Sequence, residues 1–237
     1  MRQSRSPEVS EAVPLFPLPN CTLLPGCVLP LRVFEPRYRV MVEDLHAKPP
    51  NKRWIAIALL AKNSEDHYFS PSAPIHRTVG LGEVLQILPL PERCFNILVV
   101  GRARARVVEE HSGCEYRTAS LELMPTEPAD LLAGVHESVE RVRSVVNEYT
   151  ELGLCDADFV KELTRRAPSA ATLIDILAFH LLGPQDTIVK QRILEAEALE
   201  SRADLLNYQL HKLMQGWRQA QVCHVDRPFW SAPCNLN

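Results

Sequence analysis

The sequence predicts an α+β protein: a β-rich first half folded as a closed or half-closed barrel, then an α-helical second half. Two observations carry this. Up to about residue 124, short runs of β-branched and aliphatic residues are separated by Pro, Gly, Asn and Ser clusters. From about residue 128 the apolar residues recur at three and four, the period of helices. With 237 residues, 46% of them hydrophobic, the chain is long enough to bury a core in one large or two small domains.

Residues 1–12 read as a disordered arm. MRQSRSPEVSEAV mixes two arginines with Glu8 and Glu11 and has no apolar centre, unlike a signal peptide. In the next stretch, PLFPLPNCTLLPGCVLPLRVFEPRY, prolines 14, 17, 19, 25 and 30 forbid a regular central strand and impose an extended, turning path. LPG at 24–26 supplies a turn, Pro25 presetting its first corner and Gly26 taking a positive φ. Strands are expected at 28–34, 53–61, 79–90, 94–101, 102–110 and 116–124. One helix, 36–47, interrupts them: Pro36 suits its first position, and Tyr38, Met41, Val42 and Leu45 share one face. Glu35 sits where the helix dipole favours a carboxylate and is placed to pair with Arg37. Segment 62–77 has loop composition, and MPTEPAD (124–130) joins the halves.

The β-rich part is thus assigned to 13–127, a helical bundle to 128–217 and a tail to 218–237. Leu132, Val135, Val139, Val142, Val146 and Tyr149 make one long amphipathic helix. CDADFVKELTRRA follows with Asp156 as cap, and SAATLIDILAFHLLGP stops on Gly183 and Pro184. Leu199, Ala203, Leu206, Leu210, Leu213 and Trp217 form a stripe too brief for a coiled-coil dimer, which assigns it to the bundle's own core.

Composition excludes several functions. A net charge of −3 sets up no global field towards nucleic acid or anionic membrane. The longest apolar run, Ile55 to Ala61, is far below the roughly 20 residues of a membrane span, so a soluble, cytoplasmic protein is expected. The seven cysteines are odd in number and lack any C-x-x-C pair, which favours reduced thiols over a disulfide framework. The weaker alternative is a metal site in the tail from Cys223, His224, Asp226 and Cys234, which lacks the paired spacing of zinc ligands. Phosphate-loop, G-x-S-x-G and H-E-x-x-H patterns are missing, and Gly80 and Gly82 in VGLGEV read as a strand entry or bulge rather than a dinucleotide loop. His136 and Glu140 read as a solvated helical pair. No catalytic residue, metal or cofactor is expected.

One local charge feature stands out. On a strand, Arg102, Arg104 and Arg106 point to one face and Ala103, Ala105 and Val107 to the other. Such a row suits phosphates or an acidic segment, or else a solvated face paired with Glu109, Glu110 and Glu115.

Residues 14–45 resemble the opening of the Lon N-terminal domain family: Leu15, Phe16, Pro17 and Leu18, the Pro25–Gly26 turn, Pro30 and Leu31, then Phe34, Glu35, Arg37 and Tyr38. Further on, VGLGEVLQI, FNILVVGRARARVVE, YRTASLELMP and VKQRILEAEALESRADLL are similar to later segments of that family, so the resemblance runs from about Val13 to about Leu213. Arg32 stands where the family often has histidine. The resemblance implies a PUA-like pseudo-barrel with a helical subdomain, and a free-standing recognition module without ATPase or peptidase modules. Its expected partner is unfolded or exposed apolar polypeptide, or a protease or other quality-control protein, bound at a face between barrel and helices. Phe34 and Tyr38 are the candidate apolar contacts, each equally suited to the core. The alternative is an RNA-binding PUA-like protein using Arg102, Arg104 and Arg106.

Overall fold

In the computed structural model, residues 12–61, 73–111, 115–125 and 132–222 are described. The N-terminal arm up to residue 11, most of the 62–77 loop and the cysteine–histidine group of the tail lie outside them. The chain divides into two compact units, Met1–Pro125 and Thr126–Asn237.

The first unit runs β1 (Val13–Leu18), β2 (Val28–Val33), α1 (Pro36–Ala47), β3 (Trp54–Leu59), β4 (Thr78–Pro89), β5 (Phe95–His111) and β6 (Thr118–Leu123). Its sheet closes because β5 is long enough to be shared. One side of β5 pairs with β4, while the other pairs first with β2 and then with β6. β6 returns to β1, β1 lies parallel to β3, and β3 pairs with β4, so five strands form a mixed ring with β2 as an extra strand. Val13, Leu15, Ala56, Ala58, Val79, Leu81, Ala105, Val107, Ala119 and Leu121 fill the interior.

Two expectations need correction. Residues 94–101 and 102–110 are one strand, and Gly101 is not a turn but a point of close approach: a Cβ there would lie 2.1 Å from the Leu24 carbonyl oxygen. The neighbouring irregularity is a bulge, since Leu81 pairs with Ala103 but Gly82 with Gly101, leaving Arg102 as the extra residue. The prolines also do not keep β1 from the middle of the sheet, where it sits between β3 and β6. It is paired on one side at a time: Val13 and Pro14 with β6, Leu15 to Leu18 with β3. Leu15 donates its N–H to Arg117 on the β6 side, so the nitrogen of Pro17, two residues on, faces the same way beyond the end of that ladder. Neither ladder loses a bond to a proline.

The helix α1 follows its sequence signals closely, with Pro36 in the first turn after Glu35 and Tyr38, Met41, Val42 and Leu45 buried. Gly26 has φ 80°, as the LPG turn requires. Three bulges leave Arg102, Leu85 and Val108 as extra residues, and both aliphatic ones are exposed as a result.

The second unit comprises α2 (Leu132–Glu151), α3 (Ala157–Arg166), α4 (Ala170–Leu181), α5 (Thr187–Glu195) and α6 (Leu199–Val222). Asp156 caps α3 by accepting from the Phe159 N–H at 2.7 Å, and Ser169 caps α4. The α6 stripe is core as expected for Leu199, Ala203, Leu206 and Leu210, with Leu213 and Trp217 half-buried. Its polar interior was not anticipated. Asp175 on α4 and Arg202 on α6, exposed by 1% and 2%, lie 3.9 Å apart, and Arg202 also donates to the Glu197 carbonyl. Asp186 accepts from the Gly183 N–H and from Gln209 of α6, tying the loop before α5 to the last helix.

Replacing Asp175 by Ala removes the carboxylate 3.9 Å from the buried Arg202 guanidinium, and urea denaturation is expected to show a loss of about 3–5 kcal/mol. Gly101→Ala forces the Leu24 backbone away from β5 and is expected to cost about 3 kcal/mol by the same assay. An unchanged midpoint for Gly101→Ala means that the ribbon is not held against the strand.

Candidate functional site

The N-terminal half of β5, flanked by β2 and β4, runs beyond the region where β6 completes the ring, and its two faces differ. Register fixes which residues share a face. Leu29, Val99 and Val84 stand in one row and Leu31, Ile97 and Ile87 in the next, on the side where Gly82 meets the Val99 and Leu23 side chains. Of these, Leu29, Val99, Val84 and Ile97 are buried. The opposite face carries Val28, Val100 and Glu83, then Pro30, Leu98 and Gln86, then Arg32, Asn96 and Leu88. Here Val28 and Leu88 are exposed, Leu98 and Val100 half-exposed, and the bulge residue Leu85 adds another exposed side chain. The result is a sheet face on which Val28, Val100, Leu98, Leu88 and Leu85 form an apolar surface interspersed with Gln86, Asn96 and Arg32, and Arg102 pairs with Glu83 at 2.7 Å at one end.

Phe34 and Tyr38 separate in the structure. Phe34, 61% exposed, directly follows β2, where strand alternation carries it to the side of Pro30 and Arg32. Tyr38 is 1% exposed, its ring 4.4 Å from that of Phe16 with the Arg37 guanidinium over it at 4.5 Å. A contact role for Tyr38 therefore gives way to packing. Glu35 accepts from Arg37 at 3.2 Å, bracing the entry to α1. Pro25 and Gly26 form the turn, and Pro30 lies on β2, which pairs only with β5 among the described strands.

The arginine row dissolves. Arg102 is an exposed bulge residue neutralised by Glu83, Arg104 is 9% exposed, and Arg106 is exposed across the ladder from Glu122. Glu110, an expected partner for the row, is bound by Arg117 at 2.6 Å instead. Arg104 is buried because β5 is covered at that point, which strand alternation alone does not reveal. Among the described residues, no group of His, Cys, Asp and Glu is placed to hold a metal ion, Cys21, Cys27, Cys94 and Cys155 are free thiols, and no helix is long and apolar enough to cross a membrane. The sequence reading missed Leu85, Leu88, Leu98 and Val100. A signal was available in ILVV (97–100), a strand apolar on both faces.

The described residues thus combine a barrel carrying an open apolar face with a helical unit that follows it in sequence. The sequence model described as the ATP-dependent protease La (LON) substrate-binding domain matches residues 12–212, and the chain belongs to that family. It is 28% identical to a Lon protease of Azorhizobium caulinodans over 87% of this chain and 24% of that protein. With Lon protease 1 of Myxococcus xanthus it shares 28% identity over 91% of this chain and 25% of the relative. The chain thus spans about a quarter of the length of these relatives. Among solved structures, it is similar to the N-terminal domain of a Mycobacterium avium complex Lon protease, with TM-score 0.64 and 15% identity over 85% of this chain and 98% of that one. It is also similar to a Lon N-terminal domain protein from Xanthomonas campestris, with TM-score 0.56 and 18% identity over 83% of this chain and 96% of that one. These likenesses establish the α+β pseudo-barrel fold.

Burial pushes the Tyr38 phenol up to about 12, with Arg37 opposing and Glu35 reinforcing; burial does the same to Tyr149 in the helical unit. The folded chain holds both protons more tightly than the unfolded chain, whose tyrosines ionise at their ordinary 10.0. Their contribution to stability is therefore complete below pH 10.0 and is lost as pH rises to about 12. Phenolate absorbance titration is expected to show a late phase near 12 that loses one equivalent in Tyr38→Phe. Titration of Tyr38 at its ordinary value means that the ring is solvated.

Proposed function

We propose that this chain is a non-catalytic recognition module that binds exposed apolar segments of unfolded polypeptide on the exposed face of β2, β5 and β4. The observation that carries the reading is that apolar face, open in a domain whose opposite sheet face is buried. A patch of this kind on a soluble domain marks an interaction surface. Membership of a family described by substrate binding supports the polypeptide as ligand. The bound segment is then handed to, or held for, a protease or another quality-control protein of the cytoplasm, and the module itself needs no cofactor.

RNA binding has less support. Of the three arginines that suggested it, Arg102 is paired and Arg104 is buried, so no continuous cationic row faces solvent.

Fluorescence anisotropy of a labelled, permanently unfolded polypeptide tests the reading, with labelled RNA in parallel at two salt concentrations. Saturable polypeptide binding and no RNA binding are expected. The pair Val28→Ser and Leu88→Ser is expected to weaken binding about tenfold, because each removes a partly exposed aliphatic side chain from the contact. The melting temperature stays within the range of ordinary surface changes. Phe34→Ala behaves like the serine variants, whereas Tyr38→Ala lowers the melting temperature. RNA binding with a steep salt dependence, or polypeptide affinity indifferent to the face variants, sinks the proposal.

A further inference from the structure

The apolar face carries one charge that is not balanced on the face itself. Of the two ionisable rows, Glu83 is taken up by Arg102 at 2.7 Å, which leaves that end neutral. At the other end Arg32 stands in the row with Asn96 and Leu88. It is exposed, and among the described residues no carboxylate lies within ion-pair distance of it. The nearby carboxylates and cations at the base of the sheet are used differently. Arg93 is held by both oxygens of Glu43 at 2.8 Å, Glu35 by Arg37, and Arg39 donates to the carbonyl of Glu92.

We infer that the face selects apolar segments that carry an acidic side chain, with Arg32 as the residue that sets this preference. The inference rests on the polypeptide-binding reading and adds a charge rule to it. A guanidinium that shares its face with Pro30, Leu98 and Leu88 becomes partly desolvated when an apolar segment covers the face. An Asp or Glu in that segment offers the planar, bidentate partner that restores its hydrogen bonds, while a Lys brings a like charge into the same low-dielectric contact. A neutral segment leaves the guanidinium covered and unpaired. The preference therefore comes as much from discrimination against cationic segments as from attraction to anionic ones. The Glu83–Arg102 pair fixes the direction of the effect, because its carboxylate is already satisfied and offers little to a cationic ligand.

The test uses the full chain and three fluorescein-labelled peptides of one apolar sequence that differ only in a central Glu, Gln or Lys. With the native protein the Glu peptide is expected to bind about threefold more tightly than the Gln peptide, and the Lys peptide about threefold more weakly, the scale of a single partly exposed pair. The spread narrows at high salt. Arg32→Glu reverses the order and Arg32→Gln collapses it; Arg32 is an exposed strand position, and circular dichroism confirms that the fold is kept. Leu88→Ser weakens all three peptides by one common factor. Equal affinity for the three peptides, or an order that survives Arg32→Glu, overturns the charge rule while leaving apolar recognition standing. Failure of all three to bind the native protein overturns the polypeptide-binding reading and the charge rule with it.

Discussion

The first unit depends on a contact between backbones. The Leu23–Leu24 ribbon crosses β4 and β5 so closely that a Cβ on Gly80 would come within 2.0 Å of the Leu23 carbonyl oxygen, and one on Gly101 within 2.1 Å of that of Leu24. Hydrogen bonds seal the crossing: Gly26 donates to Gly101, and Gly101 donates to Cys27, each at 2.9 Å. With Leu23 and Leu24 fully buried, the crossing is also an apolar anchor. Any side chain at these two glycines lifts the ribbon, and lifting the ribbon removes β2 from β5. The apolar face exists only because β2 is laid there.

The same contact explains why the N-terminal motif is written as it is. Leu15 points into the barrel and Phe16 out onto Tyr38, so one short strand serves two packing layers. Pro25 and Gly26 turn the chain into β2, and Glu35 with Arg37 brace the entry to α1. Most of the residues that carry the family resemblance thus build the scaffold. The exception is Phe34, which a scaffold would bury and this one leaves in solvent.

What was legible in the sequence follows from the range of the forces involved. The α1 cap and face, the LPG turn, the caps of α3 and α4 and the α6 stripe are set by residues within a few positions of one another, and the chain displays them directly. The continuity of β5 was hidden because Gly101 looks like punctuation, and its actual reason lies some 75 residues away in the ribbon. Prolines at 14 and 17 read as strand breakers because the rule assumes a partner on each side of every residue, whereas β1 changes partners midway. The fate of Arg104 and of the ILVV run had the same character: alternation says that two faces differ, and only the closed sheet says which one is covered. The buried Asp175 and Arg202 were invisible for a further reason, since each looks from sequence like an ordinary helix-surface charge.

That the apolar surface is a face and not an edge also constrains how the proposed polypeptide ligand is held. Gly101 donates to the carbonyl of Cys27, so in the antiparallel ladder Leu29, Leu31 and Val33 direct their backbone groups to β5, while Val28, Pro30 and Arg32 direct theirs outwards. The middle member of that outer series is a proline and supplies no donor. An incoming strand therefore meets an interrupted ladder, the device by which sheet edges resist further pairing. Recognition by strand addition ties affinity to main-chain hydrogen bonds and to a fixed register. Recognition across the face relies on aliphatic contact with Val28, Leu88, Leu98 and Val100, which is non-directional and tolerates many sequences. A blunted edge beside an open apolar face thus suits the proposed binding of many unfolded segments without templating their aggregation.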